Sequence, residues 1–150
     1  MVRRTRFDDS ECPVARSVDA IGDWWSLLIV RDAFDGSRRF GEFQRSLGVA
    51  KNILTARLRA LVAGGVLETV PASDGSAYRE YVLTPKGKEL FPVIVALRQW
   101  GERNFFAPDE PRSHLLDREQ GQPLRPLEVR AADGRRLDPD DTTVHKITRQ

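Results

Sequence analysis

The chain is poor in the residues that metal and redox chemistry usually requires. Among 150 residues it has one cysteine, Cys12, and two histidines, His114 and His145. A single cysteine permits no internal disulfide and points to a reducing compartment. Three such side chains also fall short of the ligand sets that zinc takes. No HExxH, CxxC, GxxxxGKS/T or GxGxxG pattern occurs, which argues against metalloenzymes and nucleotide-driven chemistry. No stretch approaches eighteen consecutive apolar residues, so no membrane span is expected. The first residues reach Asp8 and Asp9 without an apolar run, so no signal peptide is expected either and the expected location is the cytoplasm.

A large net charge is missing as well, at +2, but the charge is unevenly placed. Residues 37–59 hold Arg38, Arg39, Arg45, Lys51, Arg57 and Arg59 against the single acid Glu42, a local excess of +5. Residues 107–150 hold eight bases and nine acids, or −1. A basic stripe on a near-neutral chain suits an anionic partner, whereas a merely solvated helix face usually mixes both signs.

What is present in quantity is apolar periodicity, and it stops near residue 106. Hydrophobic residues make up 40% of the chain, enough for one packed core. Beyond Phe106 come Pro108, Pro111, Pro123, Pro126 and Pro139 with few aliphatics, which places an expected domain boundary between residues 1–106 and 107–150.

Val14, Val18 and Ile21 follow helical spacing, so a first helix is expected from Pro13 to about Asp23. A second, apolar on nearly every side, is expected over residues 24–34 and should be the buried central helix. Phe40, Phe43 and Leu47 mark a short third helix stopped by Gly48. Val49 and Ala50 then turn into a fourth, from Lys51 to Ala63, closed by Gly64-Gly65. Two helices joined by a short glycine-containing turn carry the helix-turn-helix signature. Extended runs at residues 66–70 and 78–83 flank Asp74-Gly75 and read as a β-hairpin. Thr84-Pro85 then caps and opens one long final helix. The expected fold is mainly α with a small β-hairpin wing, a winged helix-turn-helix, followed by a short C-terminal β-hairpin extension.

At about 100° per residue, Leu54, Leu58, Leu61 and Val62 share the core side of the fourth helix. Asn52, Thr55, Ala56 and Arg59 point the other way, with Lys51 and Arg57 on the flanks. Small or hydrogen-bonding groups at the tip and long cations at the edges suit insertion into a DNA major groove. Asn52 and Arg59 have the chemistry to pair bidentately with adenine and guanine, while Arg38, Arg39 and Arg57 suit phosphates. Arg79 on the returning wing strand serves either the minor groove or phosphate, or else a cross-strand pair with Glu68 or Glu80.

Several stretches resemble the HxlR-type winged-helix regulators of bacteria. These are Cys12-Pro13-Val14, Gly22-Asp23-Trp24-Trp25-Ser26-Leu27-Leu28-Ile29-Val30-Arg31, Arg38-Arg39-Phe40-Gly41-Glu42-Phe43, Lys51 through Leu61, Tyr81-Val82-Leu83-Thr84-Pro85-Lys86-Gly87, and Leu97-Arg98-Gln99-Trp100-Gly101. The resemblance implies a homodimeric transcription factor, more often a repressor, on a near-palindromic double-stranded operator, with no catalytic role and no cofactor. It also implies that the first and last helices build the dimer. The breadth of the apolar stripe on the last helix agrees with that, and Val14, Leu90, Phe91, Ile94, Val95, Leu97 and Trp100 are the expected dimerisation residues. The alternative is that residues 107–150 fold back over it. Where the family often has a capping serine, this chain has Ala50, so the cap of the fourth helix is expected either to come from elsewhere or to be weak.

Cys12 stands at the start of the first helix, where unpaired amides and the helix dipole favour a thiolate. In several HxlR-type proteins the matching cysteine resembles a sensor of oxidants, quinones or aldehydes, so Cys12 is either such a switch or a small residue at a helix start. Two other classes remain: an interaction module that binds protein instead of DNA, against which the +5 stripe argues, and a thiol enzyme built on Cys12, with no histidine nearby in sequence unless folding brings His114 or His145 close. A small apolar effector held between the dimer helices and the core is a further expectation. The tail resembles a small zinc ribbon with Gln120, Arg130 and Asp133 at the expected cysteine positions, hence no metal. It is expected to form two short hairpins turning at Gln120-Gly121 and Asp133-Gly134, with disorder as the alternative.

Overall fold

A computed structural model of the chain describes residues 5–147 and orders them as α1 (Pro13–Ile21), α2 (Trp24–Phe34), α3 (Phe40–Leu47), α4 (Lys51–Ala63), β1 (Leu67–Pro71), β2 (Arg79–Leu83), α5 (Pro85–Lys88) and α6 (Phe91–Phe105), with a late 3-10 turn at Pro139–Asp141. No helix among these residues is long and apolar enough to cross a membrane. The winged helix-turn-helix expected from the sequence is the fold observed.

α1 ends earlier than expected. Gly22 closes it, its amide donating to the Val18 carbonyl at 2.7 Å. Asp23 is extended and begins α2, its carboxylate accepting from the Ser26 amide at 2.8 Å and the Ser26 hydroxyl at 2.6 Å. A side-chain oxygen there satisfies an amide that the first turn leaves unpaired.

α2 is the central helix. Ile29 and Val30 are fully buried and pack with Phe43 of α3, Leu54, Leu58 and Leu61 of α4, and Val66 and Leu67. Trp24, at the first position of α2, departs from the expected burial and is exposed, edge-on to Trp25. Asp32 is buried as well. Its Oδ1 accepts from the Arg31 guanidinium at 2.9 Å, while its Oδ2 has no partner among the described residues.

α3 ends at Gly48, whose φ of +63° is left-handed and favours glycine. Buried Val49 and Ala50 complete the turn into α4, and no side chain caps α4, the second of the two outcomes expected at Ala50. β1 and β2 pair antiparallel with Leu67 opposite Leu83 and Pro71 opposite Arg79, forming the wing. Thr84 caps α5 by accepting from the Gly87 amide at 3.0 Å, and Pro85 takes the first turn as expected.

The single long helix expected after Thr84 is instead two. Pro92 is the reason: it has no amide to donate to the carbonyl four residues back, and its ring crowds that carbonyl. Proline is tolerated in a first turn, so α6 restarts at Phe91 with Pro92 as its second residue.

The chain divides into two compact units, one up to Ile94 and one from Val95, a division that lies inside α6 and ahead of the composition change near residue 107. In the second unit the extension is tied to α6. Gln99 donates to the Arg125 carbonyl at 3.0 Å and accepts from the Leu127 amide at 2.8 Å. Arg98 donates to the Ser113 hydroxyl at 2.9 Å, and Arg112 lies over the Phe106 ring. Two antiparallel bridges, Leu116 with Pro123 and Arg130 with Arg136, enclose turns in which Gly121 and Gly134 have positive φ. The two short turns are therefore where the glycines place them.

Candidate nucleic-acid interface

The expected contact residues fall into two groups once their partners are known. Leu54, Leu58 and Leu61 are buried, so the opposite side of α4 faces outward, and Lys51, Asn52, Ala56 and Arg59 are exposed on it. Lys51 and Arg59 have no ion pair among the described residues, and neither has Arg45 on α3. Thr55 is half-buried, with its hydroxyl donating to the Lys51 carbonyl at 2.8 Å. It serves the first turn of its own helix rather than presenting a free donor.

The other cations are engaged inside the chain. Arg57 lies 3.5 Å from the Asp23 carboxylate that caps α2. Arg38 is paired with Glu80 of β2, and Arg39 with Asp74 at the wing tip. Arg39 also lies 5.5 Å over the Tyr78 ring and 4.0 Å from Glu80. Arg79 donates to the Thr69 hydroxyl across the wing at 3.0 Å. Its cross-strand partner is thus Thr69, not Glu68 or Glu80. Among the described residues, three of the six bases in the stripe already face acids of the same chain and three do not.

Glu80 holds this arrangement together. Its side chain is only 2% exposed, yet it accepts from the Ser73 amide at 2.8 Å and the Ser73 hydroxyl at 2.9 Å as well as from Arg38. The Ser73 amide, followed by the Arg38 guanidinium, holds its carboxyl down at about 2. A buried charge requires such partners, since desolvation alone would expel it. Asp74 is likewise held at about 2, first by the Ser76 amide and hydroxyl and then by Arg39, and Asp74 in turn raises Arg39. Glu42 completes the junction, accepting from the Arg39 amide at 2.9 Å and the Arg38 amide at 3.2 Å. The loop before α3, the wing tip and α3 are therefore one polar network beside α4.

Residue typing had missed Asp23, Asp74 and Glu80 as the acids that govern these arginines. No local pattern marks them, since each faces an arginine more than 30 residues away in sequence.

The expected dimerisation residues also divide. Val14 is 69% exposed and Trp100 is 53% exposed, and Phe91 and Leu97 are exposed too. Leu90 and Ile94 pack instead against the core of the first unit. Val95 is 3% exposed, beside a cavity of about 210 Å³ lined also by Leu115 and Leu124 of the extension. The burial of Val95 beside these residues is what the alternative in which the tail folds back expects. Cys12 is extended at the start of α1 and exposed, its amide donating to the Ser10 hydroxyl at 3.2 Å. Among the described residues no group of three or more histidine, cysteine or acidic side chains is gathered to hold a metal ion.

Paired helices with a glycine turn, an outward basic helix and a hairpin beside it define a winged helix-turn-helix of the kind that transcription regulators use on DNA. The chain belongs to the HxlR-like helix-turn-helix family, whose model matches residues 20–109. An HTH-type transcriptional regulator of Mycobacterium tuberculosis is 41% identical over 113 residues, 75% of this chain and 72% of the relative. The HTH-type regulator YybR of Bacillus subtilis is 33% identical over 73% of this chain and 88% of its own. Among solved structures, the transcription factor PA1607 is 59% identical with a TM-score of 0.88, covering 94% of this chain and 99% of its own. That coverage reaches into the extension. The redox regulator HypR in its oxidised form is 33% identical with a TM-score of 0.58, covering 64% of this chain and all of its own.

Proposed function

We propose that the protein is a sequence-specific regulator, acting as a repressor in the cytoplasm, that binds a near-palindromic operator as a homodimer. The observation that carries this reading is the outward face of α4, where Lys51, Asn52, Ala56 and Arg59 are exposed and Lys51 and Arg59 have no ion pair among the described residues. Asn52 and Arg59 read base edges, with Ala56 between them small enough for close approach. Lys51, at the start of α4, holds phosphate, as does Arg45. Arg38, Arg39 and Arg57 contact phosphate only by leaving or sharing their present partners, and Arg79 contributes from the wing.

The dimer forms through Val14 of α1 and Phe91, Leu97 and Trp100 of α6, all of which are exposed apolar side chains. Two-fold symmetry then places two copies of α4 one helical turn apart on the duplex.

Its input is electrophile or oxidant modification of Cys12, which is exposed at the start of α1, within the proposed interface; HypR, similar in fold, is a redox regulator. If DNA binding by Cys12→Ser responds to diamide and methylglyoxal as wild type does, that input is wrong. A cleft of about 330 Å³ lined by Ile21, Leu61, Val66 and Leu90 with Arg16 and Lys86 offers room for a small amphipathic effector instead. That effector takes the place of Cys12 chemistry if the serine variant responds unchanged.

The function is tested by incubating purified protein with fragmented genomic DNA and sequencing what is retained. A few fragments sharing a two-fold motif support it. Uniform, salt-labile retention of all fragments would leave a backbone binder, and no retention would leave a protein-interaction module.

A further inference from the structure

We propose that Asp74 is a built-in substitute for DNA phosphate that occupies Arg39 in the free protein, and so sets how strongly the regulator discriminates against non-operator DNA. The inference rests on the reading of α4 and the wing as the DNA interface. It concerns a residue that repels DNA by its own charge, and it explains why such a residue stands at the wing tip.

The two arginine–acid pairs at this junction differ in how readily they exchange. Glu80 is buried, has three hydrogen-bond donors beside it, and would be left as an uncompensated charge if Arg38 departed. That pair is structural. Asp74, in contrast, is 54% exposed, and the Arg39 side chain beside it is 34% exposed. Ion pairs open to water are weak, because solvent screens them and competes for both partners. Arg39 can therefore leave Asp74 at little cost.

Its replacement partner is chemically similar. Carboxylate and phosphate both present anionic oxygens that a planar guanidinium meets in the same way. Arg39 is also kept near its place while it exchanges, by the Tyr78 ring at 5.5 Å and by Glu80 at 4.0 Å. Asp74 is held in place independently, its Oδ1 accepting from the Ser76 amide at 2.9 Å, so the wing turn survives the loss of Arg39.

On a duplex that the wing does not press against, Arg39 stays with Asp74 and contributes nothing, while Asp74 faces the phosphates with like charge. On the operator, base contacts by α4 draw the wing tip onto the backbone and phosphate displaces Asp74. The acid thus lowers affinity everywhere and lowers it least where the fit is closest.

The test uses the full chain as wild type, Asp74→Asn, Arg39→Ala and the double variant. Binding is measured across salt concentrations on a random-sequence duplex and on a fragment recovered by the genomic selection. Asparagine keeps the acceptor for Ser76, and thermal unfolding of each variant confirms an intact fold. On random duplex, Asp74→Asn should bind more tightly, with a slope of log affinity against log salt steeper by about 0.9, the value of one added phosphate contact. Arg39→Ala should leave the slope on random duplex unchanged and weaken the selected fragment. The double variant should bind random duplex somewhat more tightly than Arg39→Ala, through relief of like-charge repulsion alone, but by less than Asp74→Asn gains over wild type and without the added slope.

Equal gains from Asp74→Asn with and without Arg39 would reduce Asp74 to simple through-space repulsion and overturn the proposal. So would a shallower random-duplex slope for Arg39→Ala, which would place Arg39 on phosphate already. Failure of wild type to bind either duplex would overturn the functional reading itself, a result distinct from both.

Discussion

The Asp23 carboxylate that caps α2 also lies 3.5 Å from the guanidinium of Arg57 in α4. One acid therefore fixes the start of the central helix and anchors the flank of the helix proposed to enter the groove. Asp23→Ala should destabilise the fold by about 1 kcal/mol, the usual cost of deleting a helix N-cap. Asp23→Asn should retain most of that stability, since an amide oxygen still accepts from Ser26. Urea denaturation of the two variants separates the cap from the ion pair.

Glu80 gives the fold a dependence on acid. Its folded-state value of about 2 lies below the ordinary 4.5. A group depressed in this way contributes its stability above the unfolded value and loses it as pH falls toward the folded one. Wild-type stability should decline between about pH 5 and pH 2, and Glu80→Gln should decline less over that window while starting lower at pH 7. Denaturant midpoints measured across the window check the sign. An equal slope in both proteins would contradict it.

Gly87 has no room for a side chain. A Cβ there would come within 2.2 Å of the Val66 carbonyl oxygen and 3.0 Å of the Leu83 side chain. Gly87→Ala should therefore cost at least about 1–3 kcal/mol, as overpacking does. It should loosen the contact of Thr84 with the segment after α4. Thermal unfolding reads the loss.

In the second unit Gln99 acts as a paired backbone partner for the extension, donating to Arg125 and accepting from Leu127. Each such hydrogen bond contributes about 0.5–1.5 kcal/mol net. Gln99→Ala should speed hydrogen exchange at the Leu127 amide by roughly tenfold, and leave exchange at the buried Ile29 and Leu58 amides unchanged.

The helices, the turn and the wing were legible in the sequence because their signals are local. Val14, Val18 and Ile21 show a helical period, Gly48 and Gly64-Gly65 stop helices, and Asp74-Gly75 turns a hairpin. Pro92 was harder to read, because a proline inside a periodic apolar run can mark either a kink or a new first turn. The state of the arginines was not legible at all. Arg38 and Glu80 are 42 residues apart, and Arg39 and Asp74 are 35. Charge counting treated every base in the stripe as available, and only the folded chain brings the acids that occupy half of them. The burial of Val95 was not legible for a similar reason, since residues beside it come from beyond residue 107.

The outward face of α4 is tested most directly by comparing wild type with the Lys51→Ala/Asn52→Ala/Arg59→Ala variant on a duplex recovered by the genomic selection, at fixed salt. These side chains are exposed, so the variant should unfold at the wild-type temperature. The account predicts that it loses at least about a hundredfold in affinity for that duplex, consistent with removing two base contacts worth about 1–3 kcal/mol each and one phosphate contact. Undiminished affinity in a folded variant would contradict the account and place the DNA surface elsewhere on the protein.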